Sequence, residues 1–533
     1  MATVRDASLQ ALRTHGITTI FGNPGSTELP MLAQLPSDFS YVLALQETAA
    51  VGIADGYAQA RGGPALVSLH TAPGVGNGMG AILGAQANKS PLVVVAGQQH
   101  RSLLTMQATL TNRDATRLPH PAVKWSFEPP RAQDVPHALA RAAHLAATPP
   151  RGPTFVSVPM DDWNVELERA DDARLQRERQ VSSRALPDQD TIDALAQRLR
   201  EASSPVLVAG PDIDASGGWD AAVELAERQR LPVYATPATG GGRLGFPEDH
   251  PLFLGILPPA VGPLAEALTG HDLVLVAGSA VFPYYPNVPG PLLPDGCALI
   301  AITSDPDEAA RAPVGDAIVA DVALTLAALA TAAGGSERVP PTARPAAEPG
   351  PEGKPMTATT AVRTLAEVFP DDGICVLEAP SATLAVRNQL RLSRPGSYYF
   401  STGGGLGFGI AAAIGVQMAQ PQRPVICVLG EGSAQYAIQS LWTAAAYEVP
   451  VTYLVLRNDE YSILKWFAQL EQVERAPGLD LPRLDCAALA EAYGVPASRA
   501  SEPEQLRVQL REAISSSSPR LVEARIGAGM ALA

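Results

Sequence analysis

A chain of 533 residues is too long for a single hydrophobic core, and its length predicts about three domains. Hydrophobic residues make up 46% and charged residues 17% of the chain, which is typical of globular proteins and excludes a disordered one. The formal net charge of −15 argues against a nucleic-acid partner, because phosphate backbones are bound by concentrated positive charge.

Short apolar runs alternate with helical patterns along the whole chain. The first third contains five candidate strands, at ITTIFG, YVLALQ, PALVSLH, SPLVVVAG and TFVSVP. The second third contains four, at SPVLVAG, LPVYATP, DLVLVAGS and CALIAIT, and the last third contains four, at GICVLEA, PVICVLGEGS, VTYLVLRN and PRLVEARI. Strands that alternate with helices predict an α/β fold with doubly wound parallel sheets.

Two changes in composition mark candidate domain boundaries. Residues 165–190 are polar and rich in arginine, and residues 335–356 are rich in proline, which is typical of an extended linker. The predicted domains are therefore 1–180, 181–340 and 341–533, each built on its own sheet.

The cysteines and the apolar stretches indicate the cellular compartment in which the protein is expected. Cys297, Cys375, Cys427 and Cys486 are scattered and form no C-x-x-C pair, so a reducing, cytoplasmic setting is expected rather than a disulfide framework or a structural zinc site. The N-terminus lacks a basic region followed by an apolar core, so no secretory signal is expected. The long uncharged stretches are broken by Gly, Pro and polar residues, so no membrane span is expected either.

The strongest chemical pattern lies in the last third. The strand PVICVLG runs into Gly430-Glu431-Gly432-Ser433, and the next strand ends at Asn458. Glycines at the end of a strand let the backbone approach a phosphate, and the N-terminus of the following helix favours negative charge. A carboxylate and an amide oxygen at one edge of a parallel sheet suit Mg²⁺ or Ca²⁺. By themselves these glycines would equally fit a plain tight turn.

The spacing of this pattern resembles a known motif. Twenty-five residues separate Gly432 from Asn458, and the thiamin-diphosphate motif is GDG followed about 25 residues later by Asn. Here Glu431 takes the place of the usual Asp. The segments FGNPGSTELP, ALQETAAVGIADGYAQA, SLHTAPGVGNGMGA and GGLGFGIAAAIGVQ also resemble the benzoylformate decarboxylase family of the pyruvate-decarboxylase and acetolactate-synthase superfamily. The resemblance covers essentially the whole chain and implies pyrimidine-binding, central and diphosphate-binding domains.

The resemblance assigns three catalytic residues. Glu47 would hydrogen-bond the aminopyrimidine ring of the cofactor, although an acidic residue also favours a helix N-terminus for purely structural reasons. His70 would move a proton near neutral pH, although a lone His at the end of a strand is commonly structural. Ser26 would bind the substrate carboxylate, although a serine in such a loop could equally cap a helix.

The resemblance also assigns residues to the cofactor and its metal ion. The side chains of Glu431 and Asn458 and the carbonyl of Glu460 would hold Mg²⁺ or Ca²⁺, and Leu406 would prop the cofactor into a bent shape. The other implied cofactor contacts are Ser381, Gly404, Gly430, Gly432, Ser433 and Tyr461.

The substrate pocket departs from the family pattern at one position. The family has a second active-site His in its central domain, but no His follows His271 here, and Tyr285 falls about where that His would stand. The ordinary pKa of a phenol, near 10, makes it a different acid–base group. The other pocket candidates are Glu28, Ile463, Leu464 and Phe467, although apolar residues on a helix more often belong to the core.

The implied reaction is the thiamin-diphosphate-dependent, non-oxidative decarboxylation of a 2-oxo acid. An aryl 2-oxo acid such as benzoylformate is the expected substrate, and the products would be the aldehyde and carbon dioxide. A related carboligase or lyase stays open because the second His is absent, and a non-catalytic homologue is a further alternative. The resemblance also implies a homodimer or homotetramer, with active sites between subunits, and we expect no FAD.

Overall fold

The structure is a computed structural model that describes residues 2–169, 174, 179–238, 241–350 and 353–531. The strands are β1 (Thr19–Gly22), β2 (Ser40–Leu43), β3 (Ala65–Leu69), β4 (Leu92–Gln98), β5 (Trp125–Phe127), β6 (Thr154–Pro159), β7 (Pro205–Ala209), β8 (Val233–Ala235), β9 (Phe253–Ile256), β10 (Leu273–Ala277), β11 (Ala298–Thr303), β12 (Asp316–Val319), β13 (Ile374–Glu378), β14 (Tyr398–Phe400), β15 (Val425–Gly430), β16 (Thr452–Arg457), β17 (Ala497–Ala500) and β18 (Arg520–Arg525).

The helices alternate with these strands. They are α1 (Val4–Thr14), α2 (Leu29–Leu32), α3 (Glu47–Arg61), α4 (Ala72–Ala87), α5 (Arg101–Leu104), α6 (Val135–Ala147), α7 (Gln189–Glu201), α8 (Pro211–Ala215), α9 (Trp219–Gln229), α10 (Val261–Ala267), α11 (Pro306–Ala310), α12 (Val322–Ala333), α13 (Ala358–Ala366), α14 (Thr383–Leu390), α15 (Phe408–Ala419), α16 (Glu431–Ala434), α17 (Ser440–Ala446), α18 (Ser462–Leu470), α19 (Cys486–Ala492) and α20 (Pro503–Ile514).

The strands form three six-stranded sheets. Their orders are β2-β1-β3-β4-β6-β5, β12-β11-β10-β7-β8-β9 and β14-β13-β15-β16-β18-β17. Every pairing that the structure describes in register is parallel. The predicted α/β class with three doubly wound sheets is therefore confirmed.

Each apolar run picked out in the sequence contains a strand, and the strands that were not predicted all lie at sheet edges. These are β5, β9, β12, β14 and β17. Edge strands are covered on fewer sides and are often short, so they lack a long apolar run. The strand β12, for example, has mostly exposed residues.

The central sheet shows why the inner strands are apolar throughout. Along β7, Leu207 and Ala209 face one hydrophobic cluster, whereas Val206 and Val208 face another on the opposite side. Because successive side chains of a strand point to opposite faces, a sheet covered on both faces needs apolar residues at every position.

The described chain divides into two compact units. The first comprises Met1–Ser182, Val376–Pro380 and Gly403–Gly529, and the second comprises Ser183–Cys375, Ser381–Thr402 and Met530–Ala533. Residues 170–173 and 175–178 of the predicted arginine-rich boundary, and residues 351 and 352 of the proline-rich one, lie outside the described residues. The domain limits drawn at 180 and 340 stay predictions.

Within the first unit, α3 packs directly against α15 through small residues. A Cβ added to Gly56 would lie 2.2 Å from the carbonyl oxygen of Ala412, and one added to Gly415 would lie 1.9 Å from the carbonyl oxygen of Ile53. Both glycines are therefore required by the close approach of the two helices. This contact joins the helix that follows the second strand to the helix that precedes β15.

No helix in the described part of the chain combines the length and the apolar character that a membrane span requires.

Candidate active site

The proposed metal ligands meet at the carboxyl edge of the third sheet. The last residue of β15, Gly430, is the register partner of Leu456 on β16, so both strands end at the same edge. Glu431 is buried, and its Oε1 accepts hydrogen bonds from the backbone N–H groups of Asn458 (3.1 Å) and Asp459 (2.6 Å). The longer side chain of glutamate thus reaches the loop after the neighbouring strand.

The side chains of this loop are themselves held in place. Asn458 donates from Nδ2 to the hydroxyl of Ser462 at 2.8 Å, and its Oδ1 accepts the N–H of Glu460 at 3.2 Å. The Glu460 carboxylate accepts from Ser462 at 2.6 Å and forms an ion pair with Lys465. Lys465 therefore neutralises the Glu460 side chain. The main-chain carbonyl of Glu460 stays a predicted cation ligand.

The donor set fits a hard divalent cation. One carboxylate, one side-chain amide oxygen and one main-chain carbonyl are oxygen ligands of the kind that Mg²⁺ and Ca²⁺ take. Burial raises the pKa of the Glu431 carboxyl, and a cation would counteract this by stabilising the charged form. Within the described residues, no group of three or more His, Cys, Asp or Glu side chains could hold a metal, so the set depends on the amide and the carbonyl.

The glycine of the segment after β15 allows close packing at this edge. A Cβ added to Gly432 would lie 2.4 Å from the ring of Tyr461, which places Tyr461 against the Gly430–Ser433 segment. Gly404 and Leu406 lie in the turn before α15, where Gly404 is exposed with φ +69° and Leu406 is half-buried. Ser381 belongs to the second unit, where its carbonyl accepts the N–H of Ala531 at 2.9 Å.

Glu47 and His70 lie close together in the first sheet's domain. Glu47 is the first residue of α3, directly after β2, and its Oε2 accepts from Asn77 at 3.1 Å. A Cβ added to Gly74 would lie 2.9 Å from the Cβ of His70 and 3.3 Å from Oε1 of Glu47. The backbone of α4 at Gly74 therefore lies between the Cβ of His70 and the carboxylate of Glu47.

His70 is paired with a carboxylate that the sequence marked only as a pocket candidate. Its Nδ1 lies 2.9 Å from Oε2 of Glu28, and the same oxygen accepts the N–H of Gly25 at 2.7 Å. Thr27 donates to the other carboxylate oxygen at 2.5 Å. A proton on Nδ1 shared with Glu28 fixes the tautomer and leaves Nε2 as the nitrogen that can take up a proton.

The pairing could have been inferred from strand order. β1 and β3 are neighbours, with Gly22 opposite Ser68, so the loop that holds Glu28 and the strand end that holds His70 emerge side by side. The structure also excludes the alternative interpretation of Ser26. The N-cap of α2 is Glu28, and Ser26 lies exposed in the preceding loop, where its hydroxyl is accessible.

The remaining pocket candidates are Tyr285 and three apolar residues of α18. Tyr285 belongs to the second unit and is 57% exposed. Ile463, Leu464 and Phe467 lie on α18, of which only Ser462 is buried. Ile463 and Phe467 are half-buried and Leu464 is 45% exposed, so none of the three belongs to the fully buried core.

Comparisons with known proteins identify the family. The chain matches the models of the thiamine pyrophosphate enzyme N-terminal TPP-binding domain over residues 2–118, the central domain over 192–329 and the C-terminal TPP-binding domain over 380–524.

Three full-length relatives agree with this assignment. The chain is 47% identical to benzoylformate decarboxylase from Pseudomonas aeruginosa over 98% of both chains. It superposes with a TM-score of 0.96 on a thiamine diphosphate-dependent 4-hydroxybenzoylformate decarboxylase from Rhodococcus jostii RHA1, at 44% identity over 99% of each chain. The TM-score is also 0.96 for benzoylformate decarboxylase from Polynucleobacter necessarius, at 38% identity over 99% of each chain. The chain therefore belongs to the thiamine pyrophosphate enzyme family, in the branch that contains the benzoylformate decarboxylases.

Proposed function

We propose that the chain catalyses the thiamin-diphosphate-dependent, non-oxidative decarboxylation of an aryl 2-oxo acid such as benzoylformate to the aldehyde and carbon dioxide. The observation that carries the proposal is the His70–Glu28 pair beside the Glu47 carboxylate, in a chain of this family. The benzoylformate and 4-hydroxybenzoylformate decarboxylases that resemble it over their whole length support the substrate class.

When bound, thiamin diphosphate supplies a carbon nucleophile and an electron sink for the loss of carbon dioxide. Glu431, Asn458 and the carbonyl of Glu460 would hold the divalent cation, and the backbone around Gly430, Gly432 and Ser433 would receive the diphosphate. Gly404, Leu406, Tyr461 and Ser381 complete the proposed contacts. Glu47 would hold the aminopyrimidine ring through its carboxylate, which Asn77 orients by donating to Oε2.

His70 would hold and move a proton at Nε2. Because Glu28 accepts at Nδ1, it orients the imidazole and stabilises the positive charge that forms when Nε2 is protonated. The exposed hydroxyl of Ser26 would donate to the substrate carboxylate. In this proposal the role of Glu28 is to orient the imidazole of His70, and not to bind the substrate directly.

The apolar side chains of α18 would cover the aryl group. Ile463 and Phe467 are half-buried, and Leu464 is 45% exposed, so together they offer an apolar surface beside the metal-binding loop. Tyr285 would supply a hydroxyl where the family has a second His.

The proposed assembly is a homodimer or homotetramer in which Glu47 of one subunit serves the cofactor held by another. Mixing an inactive Glu47→Gln chain with an inactive Asn458→Ala chain tests this, because mixed dimers would contain one intact site. Cys297, Cys375, Cys427 and Cys486 form no disulfide with one another, which supports the proposal of a reducing, cytoplasmic setting.

The test of the reaction is the release of carbon dioxide from aryl, branched and straight-chain 2-oxo acids, with thiamin diphosphate and Mg²⁺ present. We expect turnover of benzoylformate, and a fall of about 10²-fold or more in kcat for His70→Asn. His137→Asn, which changes an exposed histidine of α6, is the matched control and should keep full activity. Inactivity of the wild-type protein on every acid would refute the decarboxylase proposal.

The same assay distinguishes decarboxylation from a second candidate activity, the ligation of the product to an acceptor aldehyde. If Tyr285 cannot protonate the intermediate as a histidine would, added acceptor aldehyde should divert the product to a 2-hydroxy ketone. Chiral chromatography of the products, with and without the acceptor, then measures the balance between decarboxylation and ligation.

A further inference from the structure

The loop after β16 holds its middle residue in an unusual backbone conformation. Asp459 has φ +60°, in the left-handed region that residues with side chains rarely adopt. Asp and Asn are the non-glycine residues that tolerate this region best. Asp459 stands between Asn458 and Glu460, the two residues of this loop that are proposed to bind the cation.

Two arginines hold the side chain of Asp459. Arg457 donates from Nε to Oδ1 at 2.8 Å, and Arg525 donates from Nη1 to Oδ2 at 2.5 Å. Arg457 and Arg525 are register partners at the ends of β16 and β18. The single carboxylate of Asp459 accepts from both guanidinium groups and so joins the ends of the two strands.

The clamp is anchored in the body of the sheet. Arg457 also donates from Nη1 to Oε1 of Glu523 on β18 at 3.2 Å. The other oxygen of Glu523 accepts the N–H of Cys486, the first residue of α19, at 2.9 Å. The guanidinium that fixes Asp459 is therefore tied to a strand and to a helix, and it does not move freely as a surface arginine would.

With its side chain fixed, Asp459 directs both of its main-chain groups. Its N–H donates to Oε1 of Glu431 at 2.6 Å, and its carbonyl accepts the N–H of Leu481 at 2.8 Å. The first bond positions the carboxylate ligand, and the second fixes the far side of the loop. The backbone conformation of Asp459 thus determines the position of the Glu431 carboxylate relative to the loop after β16.

We propose that Asp459, clamped between Arg457 and Arg525, is a positioning residue that presets the cation-binding loop before the metal arrives and so determines its affinity for divalent cations. The inference rests on the proposed function, because it takes Glu431, Asn458 and Glu460 as the metal ligands. The ion pairs act through the backbone, and Asp459 itself contacts neither cofactor nor substrate.

The central variant is Asp459→Gly. Glycine adopts positive φ without cost, so this change removes the clamp while it leaves the backbone conformation accessible. Asp459→Asn keeps the shape of the side chain and removes its charge. Asp38→Asn is the matched control, because Asp38 also accepts two guanidinium hydrogen bonds, in its case both from Arg13, on the surface of the first sheet's domain.

Two measurements are made on the full-length protein. The first is hydrogen exchange of the 457–461 backbone in the absence of cofactor and metal, and the second is the Kd for Mn²⁺ by electron paramagnetic resonance in the presence of thiamin diphosphate. We expect Asp459→Gly to speed exchange and to raise the Kd about ten-fold, the equivalent of about 1.4 kcal/mol. Asp459→Asn should lie between it and the wild type, and Asp38→Asn should match the wild type in both.

The possible outcomes separate this inference from the proposed function. Faster exchange together with weaker Mn²⁺ binding supports the inference. Faster exchange with an unchanged Kd would show a purely structural role and overturn it, as would unchanged exchange. A wild-type protein that binds no Mn²⁺ would overturn the proposed function, and the inference with it.

Discussion

Glu378 provides a buried carboxyl group whose protonation can be read from stability. It ends β13 and is 2% exposed. Its Oε1 accepts the N–H groups of Gly407 (2.8 Å) and Phe408 (3.0 Å), and its Oε2 accepts that of Gly409 (3.1 Å). Burial raises the pKa of Glu378 to about 8, and the three N–H donors act in the opposite direction.

The raised pKa makes the contribution of Glu378 depend on pH. In the unfolded chain this carboxyl loses its proton near its ordinary pKa of 4.5, whereas in the folded protein it keeps the proton up to about pH 8. The folded state therefore binds the extra proton between these values, so its stability falls as the pH rises through this window. With these two pKa values, the contribution falls by about 2–3 kcal/mol between about pH 5.5 and about pH 7.5.

The perturbation is Glu378→Gln, which has nearly the same shape but cannot titrate. Its amide oxygen can still accept two N–H groups, whereas its NH₂ group faces the N–H of Gly409 and leaves that donor unpaired, at a cost of about 1–3 kcal/mol. We expect the variant to be less stable than the wild type at both pH values. Its deficit should shrink by about 2–3 kcal/mol between about pH 5.5 and about pH 7.5, because only the wild type loses the stability that comes from the bound proton.

The assay is urea unfolding followed by tryptophan fluorescence, in which only the difference between variant and wild type is compared across pH. Glu224→Gln, at a half-exposed position on α9, is the control and should show a constant, small difference. An equal deficit of Glu378→Gln at both pH values would refute the reasoning. It would mean that the carboxylate is ionised in the folded protein and that the three N–H donors outweigh burial.

Three further changes test other parts of the structure. Gly415→Ala forces a Cβ against a carbonyl of α3 and should cost about 1–3 kcal/mol in a thermal melt, whereas Gly63→Ala, with open space around it, should cost nothing measurable. Glu28→Gln removes the carboxylate that orients the imidazole and should lower kcat about 10- to 100-fold while the Kd for thiamin diphosphate, from calorimetry, stays unchanged. Arg387→Met leaves the buried Glu248 carboxylate unpaired and should cost about 3–5 kcal/mol in urea unfolding, and adding Glu248→Met should restore most of it.

The sequence predicted every inner strand and the edge strand β2 but missed the other five edge strands, for a physical reason. A strand covered on both faces must be apolar at every position, as in β7 and β15, whereas β14 and β17 lie at edges and carry too short or too polar a run. The glycines of the segment after His70 lie inside α4, which begins at Ala72 with Pro in its first turn.

For the candidate site, residues marked by a local pattern could be predicted from the sequence, whereas contacts between distant parts of the chain could not. Glu431 and Asn458 could be proposed from the sequence because each directly follows a strand and their spacing is recognisable. The contacts that orient the residues around the proposed site could not be predicted, because they join distant parts of the chain: Arg525 reaches Asp459 from β18, and Glu28 reaches His70 from the loop after β1. Such pairs become predictable only when the order of the strands is known, since neighbouring strands bring distant residues to one edge.

The buried Arg387–Glu248 pair has a consequence for how the chain can be divided. Both side chains are almost completely buried, 2% and 1% exposed, and both belong to the unit that joins Ser183–Cys375 with Ser381–Thr402. A fragment that begins at residue 341 would carry Arg387 without its carboxylate and would expose the apolar surface packed around it. Expression of residues 341–533 alone should therefore yield a protein that aggregates. A fragment that contains both Glu248 and Arg387 keeps the ion pair and should remain folded.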